Sequence, residues 1–448
     1  MKVIVIGGVA TGMSAASKLK RLMQDVTIDV YEKGSDVSYG ACGMPYFLSD
    51  IIPEASALIA RSVAQFEHTG IRVHLNHEVI NVDTNKRRIK ALNHETNQTI
   101  EAFYDRLIIA TGAHAIRLNV PGKTLKGLHV LNSLQDAIGL KKALENAQKV
   151  TVIGSGFIGL EVVENLLELN KEVTLIERES QIMPIFDLSM VETVYQALLK
   201  RGVTIRLNET VTAYQGTESV QTVKTDKASY DTDLVIEAIG VKPNTAFLKD
   251  TGISMLPNGA ILTNHRMQTS IDNVYAGGDC ASYHHIIKNE SAYIPLGTHA
   301  NKAGRVIAED IASLNTEFQG VQGSSVLKVL DYTLAKTGLT EKEAIANNIA
   351  YDLVDVTANN QAGYYPGAEK IQMRIVYDPN NCRLLGAQML GKKGVSSRIN
   401  VIAVAINQGM SASDFSKLDL AYAPPFSPVW DPLQVATNQI DCTKGEKQ

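Results

Sequence analysis

The sequence predicts an α/β chain with two Rossmann-like dinucleotide-binding units followed by a C-terminal α+β domain. Three observations carry this reading. A glycine-rich turn joins a short apolar run to a helical run at residue 7, the arrangement returns at residue 154, and strand-like alternation takes over after residue 325. With roughly 150 residues per domain as a guide, 448 residues leave room for about three domains. The composition, 45% apolar and 20% charged with a net charge of -4, offers no general attraction for nucleic acid or an anionic membrane. No apolar run approaches the roughly 18 residues that span a bilayer. The N-terminus reads as a strand rather than a basic leader, so a cytoplasmic protein is expected.

In the first unit, Lys2 to Ile6 is too short an apolar run for a helix, and Gly7-Gly8-Val9-Ala10-Thr11-Gly12 leads from it into a helical run over Met13 to Leu22. A second strand, Val26 to Tyr31, ends on Glu32, twenty residues after Gly12, where such a unit places an acid on a ribose hydroxyl. Val9 stands where a second glycine would admit a pyrophosphate, and by itself this copy reads equally well as a plain strand, turn and helix. The second copy is complete. Val150 to Ile153 precedes Gly154-Ser155-Gly156-Phe157-Ile158-Gly159, a helix runs through Leu167, and the strand Glu172 to Ile176 ends at Glu177. A pyrophosphate is expected on the unpaired N–H groups of that helix. Glu177 favours NADH by repelling a 2′-phosphate, while Arg178 leaves NADPH open, although a solvated cation is the plainer reading of Arg178.

Two such units imply two nucleotides, most simply FAD and a nicotinamide. Tyr104 to Gly112 and Thr232 to Gly240 are near-copies, each an Asp, an apolar strand and a glycine where the chain crosses between domains. Val274 to Asp279 repeats the pattern and ends in an acid that could accept a hydrogen bond from the FAD ribityl chain; an ordinary turn Asp is the alternative. Beyond residue 325, Val326 to Ala335 and Lys370 to Tyr377 alternate like strands, and Val395 to Asn407 reads as an amphipathic helix between Gly394 and Gly409. The tail Ala421 to Trp430, with three prolines, excludes a helix interior and calls for a surface to lie on, either a partner subunit or the chain's own body. Of four well-separated cysteines, Cys280, Cys382 and Cys442 read as packing or incidental exposure, with no spacing for a disulfide framework or a metal.

Over nearly the whole chain these motifs resemble the two-dinucleotide flavoprotein disulfide reductases, the pyridine nucleotide-disulfide oxidoreductase family. The resemblance implies an FAD-binding domain over 1–113 and 244–322, an NAD(P)H-binding domain over 114–243, a dimerisation domain over 323–448, and a homodimer. It implies FAD contacts at Gly7, Gly8, Ala10, Gly12, Glu32, Lys33, Val79, Ala110, Thr111, Gly112, Asp279 and Ala300. Nicotinamide nucleotide contacts are implied at Gly154, Gly156, Phe157, Ile158, Gly159, Glu161, Glu177 and Gly240, with a solvated acid as the alternative for Glu161.

Within the family, glutathione reductase and its relatives carry a second redox cysteine five residues on and a C-terminal His-Pro motif. Phe47 occupies that position here and no such motif follows. The stretch Ser38-Tyr39-Gly40-Ala41-Cys42-Gly43-Met44-Pro45-Tyr46 instead resembles the single-cysteine branch, closest to coenzyme A disulfide reductases and NADH-dependent persulfide reductases. Cys42 is thereby implied as the redox cysteine, held at rest as a mixed disulfide, commonly with coenzyme A. NADH oxidases and peroxidases carry a His in the first glycine turn, where this chain has Ala10, yet an oxidase working through a Cys42 sulfenate stays the alternative. Gly363-Tyr364-Tyr365-Pro366-Gly367 and Tyr422 to Pro428 match a pattern in which Tyr364 and Tyr422 act across the dimer interface; interface aromatics are the bland reading. Coenzyme A contacts carry over as Ser14, Lys18, Arg21, Ser38 and Arg61, against a solvated helix face for Lys18 and Arg21.

Overall fold

In a computed structural model describing residues 1–441, two five-stranded parallel sheets and one five-stranded antiparallel sheet form the body. The first sheet has the spatial order Val274–Ala276, Arg106–Ile109, Lys2–Ile6, Thr27–Tyr31 and Ile71–His74. Ile6 lies between Tyr31 and Ile109, so the strand end that feeds the first glycine turn is central. The second sheet repeats the plan, with Lys149–Ile153 between Glu172–Ile176 and Leu234–Glu237. All four residues of Leu234–Glu237 are buried, as expected of a parallel strand covered on both faces.

The two halves are joined at the glycines seen in the sequence near-copies. After Gly112 and Gly240, Ala113–Ala115 and Val241–Pro243 pair antiparallel as a two-stranded ribbon. Thr111 Oγ1 donates to the Asn244 carbonyl at 2.8 Å, and Asn244 Nδ2 returns a bond to the Thr111 carbonyl at 3.0 Å. The helix Gly297–Ile311 packs on the helix Ala10–Leu22 through Gly304, where a Cβ would sit 2.4 Å from the Thr11 carbonyl oxygen. Only glycine permits that approach.

The third sheet, ordered Ser325–Val329, Tyr332–Gly338, Leu384–Gly391, Lys370–Tyr377 and Asp352–Asn359, carries the helix Val395–Asn407. The helix and Lys370–Tyr377 fall where the alternation put them. The run Val326 to Ala335 is a hairpin rather than one strand, turning at Leu330, whose φ is +53°. The first helix also starts earlier than its apolar period suggested, at Ala10. Cys280 is fully buried. Cys382 is buried too but, against expectation, disulfide-bonded, and Cys442 lies outside the described residues. No helix among the described residues is long and apolar enough to cross a membrane.

Candidate active site

Both glycine turns have the geometry of an anion cradle. Gly7 and Gly154 have φ of +104° and +94°, and a Cβ on Gly12 or Gly159 would lie 1.9 or 2.0 Å from the carbonyl oxygen of Gly7 or Gly154. These contacts hold helix against strand. Gly156 differs, since a Cβ there meets nothing within 4 Å and its φ of -72° suits any residue, leaving open space at the mouth of the helix Phe157–Glu168. Neither that helix nor Ala10–Leu22 has a side-chain cap or an acid in its first turn, so the amide ends are left for an anion.

The two strand-end acids are alike. Glu32 accepts the Gly8 N–H at 2.7 Å and the Gly34 N–H at 2.8 Å. Buried Glu177 accepts the Ser155 N–H at 2.8 Å, the Ser155 hydroxyl at 2.6 Å and the Glu179 N–H at 3.0 Å. Arg178 instead pairs with Glu179 at 3.1 Å on the surface. Of the other implied FAD contacts, Lys33 is exposed, Val79 is buried at a strand irregularity, and the buried Ala300 takes the Thr11 hydroxyl on its carbonyl at 2.8 Å.

Cys42 sits in the single turn Ala41–Gly43, immediately before the five-residue helix Met44–Leu48. Met44, Phe47 and Leu48 share one apolar cluster with Leu160 and Val163 of the second unit and with Leu327 and Val329 of the C-terminal domain. Position 47 is thus a packed aromatic, with Lys141 Nζ 4.1 Å above its ring. Cys42 is exposed, with a free thiol. Surrounding protein, then the Glu161 and Asp279 carboxylates, push its pKa above the ordinary thiol value. Glu161 is itself raised to about 7 by burial and by Glu164. Burial also raises Asp279, whose carboxylate has no hydrogen-bond partner among the described residues. An unpaired carboxylate beside the thiol fits the hydroxyl-accepting role expected of it toward FAD.

Four of the five implied coenzyme A contacts lie on or against the first helix. Ser14, Lys18 and Arg21 share a face at helical spacing, and Arg61 reaches Ser17 on the same helix at 3.4 Å. Ser38 holds a left-handed turn, φ +53°, with its N–H on the Gly8 carbonyl. Lys18 is not a solvated cation: it pairs with Glu309 at 3.0 Å, and Ser14 bonds Asn301 at 2.7 Å.

Tyr364 and Tyr422, 58 residues apart in sequence, meet hydroxyl to hydroxyl at 3.2 Å. That hydrogen bond, chiefly, raises the Tyr422 pKa. Neither tyrosine hydrogen-bonds Cys42 within the chain. Tyr364 is 77% exposed, and Phe426, Val429 and Trp430 beside the pair are exposed as well. Clustered large apolar groups of this kind mark an interaction surface.

Sequence reasoning overlooked the ion pair of buried Glu164 with exposed Lys328, which ties the second unit to the C-terminal domain, and the buried Arg398 beneath the tyrosine loops. Arg398 did leave a signal, being a charge among Val395, Ile399 and Ile402 on the apolar helix face.

Comparison with known proteins agrees with this geometry. Residues 1–345 match the family model described as pyridine nucleotide-disulphide oxidoreductase, and residues 324–432 match that family's dimerisation domain. The chain belongs to the pyridine nucleotide-disulphide oxidoreductase family, oxidoreductases that work with FAD and NAD(P)H. It is 38% identical to the CoA-dependent NAD(P)H sulfur oxidoreductase of Pyrococcus furiosus, over 97% of this chain and 98% of that protein. It is 34% identical to the coenzyme A disulfide reductase of Staphylococcus epidermidis, over 95% of this chain and 96% of that one. Its fold superposes on reduced Bacillus anthracis CoADR-RHD with a TM-score of 0.95 at 35% identity, covering 98% of this chain and 80% of the other.

Proposed function

We propose that the protein reduces coenzyme A disulfide, or a related small disulfide, persulfide or polysulfide, with NAD(P)H as the electron source and Cys42 as its one redox cysteine. The observation that carries this reading is the exposed Cys42 thiol, whose ionisation the Glu161 and Asp279 carboxylates oppose, with packed Phe47 where a second cysteine would stand. The relatives' printed activities support the substrate class. The domain ranges given above are supported by the return of Val274–Ala276 to the first sheet. A cytoplasmic site goes with a supply of nicotinamide nucleotide.

Gly7 to Gly12 and Gly154 to Gly159 would each hold a pyrophosphate, and Asp279 would take a ribityl hydroxyl. The chemistry FAD supplies when bound is relay of an electron pair from NADH to sulfur. Cys42 contributes the nucleophile: its thiolate attacks one sulfur of the incoming disulfide, a Cys42–S bond forms, and the other sulfur departs as thiolate. Tyr422 or Tyr364 from the partner subunit donates the proton that turns that thiolate into a thiol. Their exposure on a surface with apolar neighbours supports action across a dimer rather than within one chain. Two electrons and two protons convert one disulfide into two thiols. Lys18, Arg21 and Arg61 supply cations for the phosphates of coenzyme A.

Mass spectrometry of protein purified without reductant tests the proposal. A coenzyme A-sized adduct on Cys42, lost on treatment with NADH and absent in Cys42→Ser, is expected. Only a sulfenic acid at Cys42, together with NADH-driven oxygen uptake faster than disulfide turnover, would replace this reading with the oxidase.

A further inference from the structure

The tyrosine pair needs a device to hold it, because both residues ride on loops: Tyr364 follows the strand Asp352–Asn359 and Tyr422 lies in the proline-rich tail. Apart from the hydroxyl contact itself, one backbone bond joins the loops directly, from the Ala362 N–H to the Pro424 carbonyl at 3.1 Å. Beneath them lies Arg398, with a side chain 8% exposed. Its Nη2 donates to the Asn360 carbonyl at 3.0 Å, four residues before Tyr364, and to the Phe426 carbonyl at 3.4 Å, four residues after Tyr422. Its Nε bonds Asp431 at 3.0 Å, and Nη1 bonds the Gly394 carbonyl at 3.1 Å.

We infer that Arg398 is a positioning residue for sulfur chemistry: one buried guanidinium fastens the Tyr364 loop to the Tyr422 loop and sets the separation of their hydroxyls. This rests on the tyrosine role proposed above. Lysine has no equivalent fork and cannot serve both carbonyls and Asp431 together. An independent feature agrees. Gly394 has φ +78°, and a Cβ there would lie 2.3 Å from Arg398 Nη1, so the glycine leaves the space the guanidinium fills. Asp431 is fixed in turn, since it accepts the Leu433 N–H at 2.9 Å and the Ser427 hydroxyl at 3.0 Å.

The test compares Arg398→Lys, Tyr422→Phe and the double variant in the FAD-loaded dimer. Because misplacement of a reacting group by about 1 Å can cost roughly a hundredfold, Arg398→Lys should lower kcat for coenzyme A disulfide by about tenfold or more. The KM for NADH and the rate with a dye acceptor, which needs no thiol chemistry, should stay unchanged. The ultraviolet phenolate titration should lose the component that Tyr422→Phe also removes from the high-pH end. The double variant should be no worse than Tyr422→Phe alone. Gly394→Ala, which displaces the guanidinium from outside, should reproduce the kcat loss should Arg398→Lys not fold. Wild-type disulfide turnover in Arg398→Lys or Gly394→Ala, or full additivity with Tyr422→Phe, overturns the positioning role while leaving the tyrosine role standing. Wild-type turnover in Tyr422→Phe and Tyr364→Phe overturns the tyrosine role instead.

Discussion

Asp187 and Gln388 grip each other from both sides: the Asp187 N–H donates to Gln388 Oε1 at 2.8 Å, and Gln388 Nε2 donates back to the Asp187 carboxylate. Gln388 is fully buried in the C-terminal sheet, and Asp187 precedes the helix Leu188–Lys200 of the second unit. Arg374, near the same carboxylate at 3.4 Å, also pairs with Glu341 and Asp355, and its acidic neighbours raise its pKa. Gln388→Leu removes a donor and an acceptor at once from a site where one Asp187 oxygen already has no partner. Urea unfolding of the FAD-loaded protein should show a loss of about 1–3 kcal/mol. An unchanged midpoint would mean that this joint carries no load.

The glycines of the two turns should separate by mutation. Gly12→Ala drives a methyl against the Gly7 carbonyl and should yield protein without the flavin's yellow absorbance. Gly156→Ala meets no protein atom, so its melting temperature should stay at wild type while the KM for NADH rises. Equal loss of stability in both would contradict the open space at Gly156.

Two carboxylates stand against ionisation of Cys42. Glu161→Gln removes the largest cause after burial, and taking away a negative neighbour favours the thiolate. The midpoint of the iodoacetamide alkylation rate of Cys42 should therefore move to lower pH. Because burial is the larger cause, the shift should be partial, and movement to higher pH would reverse the assignment.

Lys18, proposed above to meet a coenzyme A phosphate, is paired with Glu309. Glu309→Gln should lower the KM for coenzyme A disulfide roughly two- to fivefold, the scale of one partly exposed ion pair. Lys18→Ala should raise it, and neither change should alter the KM for NADH. Opposite signs would place the phosphates elsewhere.

The parts legible in the sequence were those that local rules dictate. Gly154, Gly156 and Gly159 sit at the spacing a strand, turn and helix impose, and the helix Val395–Asn407 runs between the glycines that delimit it. Contacts with no local signature were not legible. Nothing near Asn244 announces its bonds to Thr111, and nothing near Lys328 announces Glu164, because pairs so distant in sequence meet only after the domains pack. Lys18 illustrates the same limit: its place in the helix Ala10–Leu22 is set locally, but Glu309 arrives on a helix made nearly three hundred residues later. The hairpin at Leu330 was missed because apolar alternation continues across it, and only its positive φ marks the turn.

The placement of Val274–Ala276 in the first sheet has a consequence for synthesis. Its partner Arg106–Ile109 emerges from the ribosome long before it, and in the finished sheet that strand is covered on one side by Val274–Ala276 alone. The second unit is continuous in sequence and can close while the first still has an open edge, a row of unpaired amides and carbonyls able to recruit another chain. The nascent protein should therefore be most prone to self-association between completion of Leu234–Glu237 and arrival of Ala276, an interval in which the ordering of birth, rather than the strength of any one contact, governs its fate.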